Sequence, residues 1–91
     1  MAYLIKYHKA VKEDLNSLDG TSKSRIKRAI ETKLINEPAK YGEPLKENLK
    51  GYMKLKIGDY RIVYKVGERE ILILGIRHRK DIYKVIKNRK N

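Results

Sequence analysis

The residues able to do chemistry cluster between Lys54 and Tyr83: Lys54, Lys56, Arg61, Arg77, His78, Arg79 and Tyr83. Lys54 and Lys56 stand two apart in an alternating run. Both therefore project from one face of a strand, about 6–7 Å apart. A short turn brings Arg61 of the next run close to that pair. Arg77 and Arg79 fall where a third apolar run ends. Cations converging on one face form an anion site of the kind phosphoryl transfer uses. Arginine clasps phosphate oxygens in pairs, and a lysine among other cations releases its proton more readily and becomes a candidate base. The plainer alternative is a set of solvated lysines on the outer face of an amphipathic sheet.

His78 lies inside the run Arg77-His78-Arg79. It is a candidate acid, base or phosphate ligand, against the commoner role of a surface or structural histidine. Tyr83 stands four residues beyond Arg79, one helical turn along, so the two are expected to share a face. An aromatic beside cations suits base stacking; the alternative is a tyrosine that packs the last helix onto the sheet. Other chemistries lack support. His8 and His78 have no ligand-spaced partners, which speaks against a zinc site. The chain has no cysteine, which removes disulfides, thiolate ligands and a thiol nucleophile. Gly42, Gly51, Gly58 and Gly67 form no phosphate-loop pattern and look like turn residues. No metal or cofactor is expected.

These residues need elements to hold them. Residues 2–7 loosely alternate and suit a strand. Ala10, Val11, Leu15 and Leu18 recur at helical spacing over 8–18, with Lys9, Lys12, Glu13, Asp14 and Asn16 on the solvent side. Asp19-Gly20 is expected to stop this helix, because glycine accepts the left-handed cap conformation. Thr21 or Ser22 is then the N-cap of a second helix. Its inward stripe is Ile26, Ala29, Ile30, Leu34 and Ile35, and its solvated side is Lys23, Arg25, Lys27, Arg28, Glu31 and Lys33. Pro38 ends it, since proline disfavours a helical residue before it. Residues 38–50 read as a loop anchored by Leu45 or Leu49. Three strands follow, 52–57, 60–66 and 70–76, joined at Gly58-Asp59 and Gly67-Glu68-Arg69. The last is apolar throughout, as for a strand buried on both faces. Residues 79–88 close as a short helix with Ile82, Val85 and Ile86 inward, and residues 88–91 fray.

The order is β-α-α-β-β-β-α, which predicts an α+β fold. Its four-stranded sheet carries a helix hairpin on one face and the charges of the meander on the other. Ninety-one residues fit a single domain over 1–91. No apolar run reaches the roughly 20 residues of a membrane helix. A cytoplasmic protein with no membrane partner is expected. The net charge is +12. Residues 1–45 hold 9 Lys/Arg against 6 Asp/Glu, and residues 46–91 hold 14 against 5, so most of the excess lies in the second half. Such a field attracts phosphate backbones in a salt-dependent manner.

Gly51-Tyr-Met-Lys-Leu-Lys-Ile-Gly-Asp-Tyr-Arg-Ile-Val-Tyr, followed by Ile-Leu-Gly-Ile-Arg-His-Arg-Lys-Asp-Ile-Tyr, resembles the RelE family of toxins in the RelE/ParE superfamily. The likeness extends over nearly the whole chain. It implies the RelE-like fold and a ribosome-dependent endoribonuclease that cuts mRNA in the ribosomal A site. A ribose 2′-OH would attack the adjacent phosphate and leave a 2′,3′-cyclic phosphate. Carried over, the Lys-x-Lys pattern falls on Lys54 and Lys56 when the turn after them is shorter here. One would be the base and the other would steady the phosphate. A gapless match through Tyr60-Arg61 instead sets the first family lysine on Tyr52 and leaves Lys54 in register. Arg61 would stabilise the transition state, Arg77 would donate the proton to the leaving oxygen, and Tyr83 would stack on the substrate base. Arg79 would contact phosphate. His78, where some RelE relatives have other residues, departs from the family pattern and stays open as a partner in the acid role. A cognate antitoxin, itself acidic or amphipathic, is the implied protein partner. The alternatives are a ParE-like gyrase inhibitor and a non-catalytic module that binds antitoxin or RNA.

Overall fold

The computed structural model describes residues 2–45 and 51–89. The chain runs β1 (Leu4–Tyr7), α1 (Val11–Asn16), α2 (Gly20–Ala29), α3 (Pro38–Tyr41), β2 (Glu43–Pro44), β3 (Tyr52–Ile57), β4 (Tyr60–Val66), β5 (Glu70–His78) and α4 (Ile82–Arg89). A π-helical stretch, Ile30–Leu34, extends α2 without a break. The fold is α+β, as the alternation of periods predicts. Among the described residues the sheet has five strands in the order β1-β5-β4-β3-β2, one more than expected. β1 runs parallel to β5, and the β3-β4-β5 meander is antiparallel.

The extra strand comes from the segment read as a loop. Glu43 pairs with Lys54 and Pro44 with Met53 at the sheet edge. An edge tolerates Pro44 because its missing N–H faces no ladder partner. Pro38, expected only to end a helix, also starts α3, where a fixed φ suits the first turn. Leu45 is buried, as an anchor should be. Leu49 lies outside the described residues, as do the side chains of Val85 and Ile86.

The junction between the first two helices also differs from expectation. Gly20 does not adopt a left-handed conformation; among the described glycines only Gly51 and Gly58 do. Asp19 caps α2 from outside, its carboxylate accepting the Ser22 N–H at 2.6 Å. That bond holds the Asp19 carboxyl below its ordinary pKa. A carboxylate at a helix start satisfies a free N–H and opposes the helix dipole. It therefore outcompetes Thr21 and Ser22 as the cap.

Two apolar clusters flank the sheet. On one face α1, α2, the junction between them and the π-helical stretch bury Val11, Leu18, Ile26, Ile30 and Leu34 against Leu55, Ile62, Tyr64, Ile71, Ile73 and Ile76. The other face is not wholly charged. Leu45, Tyr52, Val63, Leu74 and Ile82 form a smaller cluster there, with Leu72 and Tyr83 at its margin. Tyr64 is fully buried, and its hydroxyl donates to the Pro38 carbonyl at 2.6 Å. Burial pushes its pKa up to about 12. Gly42 lies so close to this hydroxyl that a Cβ there would collide with it.

Candidate functional site: a cationic row across three strands

The row is built by strand register. Lys56 of β3 pairs with Arg61 of β4, and Arg61 pairs with Arg77 of β5. Residues directly opposite in a ladder share a face. These three cations therefore stand abreast on the face away from the helix hairpin. Lys54 is two residues back along β3 on that face, opposite Val63. The close hairpin between Lys56 and Arg61 depends on Gly58, whose φ of +59° suits the left-handed position of a two-residue turn.

Arg77 reaches this face because β5 carries a bulge. Val63 pairs with Gly75 while Tyr64 pairs with Ile73, so Leu74 is an extra residue. Before the bulge, Ile71 and Ile73 face the hairpin; after it, Ile76 does. Strict alternation from Leu72 and Leu74 would have set Arg77 on the hairpin side. The bulge reverses the parity and turns Arg77 toward Arg61.

Each member has distinct surroundings. The Lys54 ammonium lies 3.5 Å from the Tyr83 hydroxyl and 5.7 Å from the centre of its ring. The first is long for a hydrogen bond, and the second is a cation–π distance. Both residues are half-buried. Lys56 is exposed, with Glu43 of the added strand 3.8 Å away. An exposed pair of that kind contributes little to stability. Arg61 folds back on the turn, one terminal nitrogen donating to the carbonyls of Gly58 at 3.0 Å and Tyr60 at 2.9 Å. Arg77 is half-buried and lies 3.4 Å from the Asp14 carboxylate.

Two predicted site residues are not brought into the row. His78 pairs in register with Tyr60, its ring edge-on at 6.1 Å on the hairpin side of the sheet. Its Nδ1 accepts from the Lys80 N–H at 3.3 Å. One step of alternation beyond Arg77 accounts for the change of face. Arg79 is exposed and precedes the helix, which starts at Ile82 rather than at 79. Its N–H donates to the Asp59 carbonyl at 2.9 Å. The helical spacing that was to align it with Tyr83 is therefore absent.

One residue was missed. The helical pattern places Asp14 on the solvent side, yet it is 1% exposed. The signal was its position between Val11 and Leu18, at i+3 on the inward stripe. Arg89, placed by the sequence in a fraying tail, binds Asp14 at 2.6 and 3.0 Å. Among the described residues no three His, Cys, Asp or Glu side chains gather as a metal site. No helix among them is long and apolar enough to cross a membrane.

A strand, two helices and a basic meander match known toxins. Residues 5–83 fit the family described as ParE toxin of type II toxin–antitoxin system, parDE. The chain belongs to this family, as a RelE-type toxin of a type II toxin–antitoxin system within the RelE/ParE superfamily. Among individual relatives, Toxin RelG of Mycobacterium tuberculosis is 28% identical over 86 residues, spanning 92% of this chain and 99% of RelG. The crystal structure of the toxin–antitoxin complex RelBE2 from M. tuberculosis superposes with a TM-score of 0.80 at 25% identity, covering 87% of this chain and 100% of that one. The archaeal RelE–RelB complex of Pyrococcus horikoshii gives 0.71 at 29% identity, covering 87% of this chain and 97% of that one.

Proposed function

We propose that this toxin is a ribosome-dependent mRNA endoribonuclease that cuts in the ribosomal A site and so inhibits translation. The observation that carries the reading is the row Lys56–Arg61–Arg77, abreast on one sheet face, with Lys54 beside Tyr83. In this reading Lys54 or Lys56 takes the proton from the ribose 2′-OH. The oxygen attacks the adjacent phosphate, and charge accumulates on the non-bridging oxygens. Arg61 and Arg77 neutralise that charge, which is where fixed cations accelerate a reaction most. Arg77 faces the leaving 5′ oxygen and fills the proton-donor role. Tyr83 stacks on the base and fixes the 2′-OH in line with the phosphate. Arg79 remains a peripheral phosphate contact, and His78 has no direct part. The protein would act in the cytoplasm, held in check by a cognate antitoxin, as the relatives solved with RelB are bound to a partner.

The test is cleavage of an mRNA by the purified chain, with and without programmed 70S ribosomes, the cut sites mapped by primer extension. Cuts confined to the A site and dependent on ribosomes are expected. Their absence overturns the proposal. A second reading, gyrase inhibition, has one observation in its favour: the matching family is described by its ParE member. A supercoiling assay separates the two, since this reading requires loss of gyrase activity without RNA cutting.

A further inference from the structure

Asp14 is the buried charged side chain of the described residues, and none of the chemistry above uses it. It sits where β5 loses its neighbour. β1 pairs with β5 only from Glu70 to Ile73, and beyond that α1 lies along the edge. There one Asp14 oxygen takes the place of a strand carbonyl, accepting the Ile76 N–H at 3.0 Å. Two guanidinium groups share the rest of the carboxylate. Arg89 of α4 reaches both oxygens, at 2.6 and 3.0 Å, and is nearly buried. Arg77 has a single contact at 3.4 Å and is 39% exposed.

The sharing is unequal, and the inequality has a consequence. A forked guanidinium–carboxylate pair is the stronger geometry. While Arg89 holds it, Arg77 is steadied by one long contact, and its other side-chain donors have no partner among the described residues. Without Arg89 the buried carboxylate would lack its main counter-charge, an unfavourable state. Arg77 is the cation within reach to fill the vacancy. Doing so draws its guanidinium off the row and toward the strand edge.

We propose that Asp14 is a positioning residue that links the docking of α4 to the availability of Arg77: Arg89 occupies the carboxylate and thereby leaves Arg77 free for phosphate. The proposal rests on the endoribonuclease reading for its effect on rate, but its geometry is independent of that reading. In Arg89→Met, which keeps the aliphatic stem, single-turnover cleavage is expected to fall about five- to tenfold, the lower part of the range for coupled sites. Adding Asp14→Asn restores most of that loss, because the amide still accepts the Ile76 N–H and has no charge with which to capture Arg77. A merely structural role predicts the opposite, a further fall in the double variant, and that result overturns the proposal. The second readout is the side-chain Nε resonance of Arg77 by NMR, compared between wild type and Arg89→Met. A shift to the carboxylate-paired position is expected; an unmoved resonance overturns the proposal even if the double variant does not fold. If the wild-type chain cuts no RNA, the endoribonuclease reading fails, and the Arg77 resonance alone decides the coupling.

Discussion

The two faces of the sheet use the same strands for opposite ends. On the hairpin face Ile62, Tyr64, Ile71, Ile73 and Ile76 are closed over by two helices and are almost wholly buried. On the other face the neighbouring residues, Lys54, Lys56, Arg61 and Arg77, are partly open. Among the described residues, a small apolar cluster under Ile82 and Tyr83 is covered there. Period-2 alternation lets one strand serve a core and a charged surface at once. The lesson is a division of labour. The first face sets stability, and the second can carry a net positive field because the first holds the molecule together.

That division is broken most severely from the core side. Leu34→Ala removes a fully buried side chain from the hairpin face. It is expected to lower unfolding free energy by about 2–5 kcal/mol, read by urea titration, with cleavage intact wherever the protein is folded. From the other side, Arg77→Ala and Lys54→Ala are each expected to lower cleavage by about 10²–10³-fold while melting within a few degrees of wild type. A matching loss of stability in those variants would erase the distinction between the faces. Tyr83→Ala tests the boundary, since Tyr83 belongs both to the small cluster and to the row. Loss of one stacked base corresponds to about 1–3 kcal/mol, seen as slower cleavage with ribosome binding retained. A variant that does not fold would assign Tyr83 to packing.

Smaller effects sharpen the same contrast. Tyr64→Phe leaves the Pro38 carbonyl without its buried donor and is expected to destabilise by about 1–3 kcal/mol. Tyr64 also predicts an alkaline limit. Its pKa is raised from 10.0 to about 12 by burial, so the unfolded chain ionises first. The stability from the neutral hydroxyl is complete below pH 10 and is lost as pH rises through about 12. Alkaline melts of wild type and Tyr64→Phe should differ in slope over that interval; parallel curves would remove Tyr64 as the cause.

The sequence made the meander, the helix hairpin and most of the row legible, because alternation fixes faces without knowledge of partners. Lys54, Lys56 and Arg61 followed from that rule alone. Arg77 required the Leu74 bulge, which shows in the sequence only as a glycine inside an apolar run. His78 and Arg79 lie outside the row for related reasons: one is a single alternation step past Arg77, and the other precedes α4. Strand β2 is two residues long and acquires its form only by pairing with β3. Asp14 could be suspected from its place on the inward stripe. Its partners Ile76 and Arg89, though, lie 62 and 75 residues away, beyond the reach of local pattern.

The catalytic roles proposed for the cationic row depend on its cutting RNA on the ribosome. The most direct test compares wild type, Lys54→Ala and Arg77→Ala on one mRNA, free and bound in programmed 70S ribosomes, beside thermal melts of all three. Cuts at the A site are expected from wild type only when ribosomes are present, with loss of those cuts in both variants without loss of fold. Equal cutting by wild type and both folded variants, or no cutting by wild type at all, would contradict those roles.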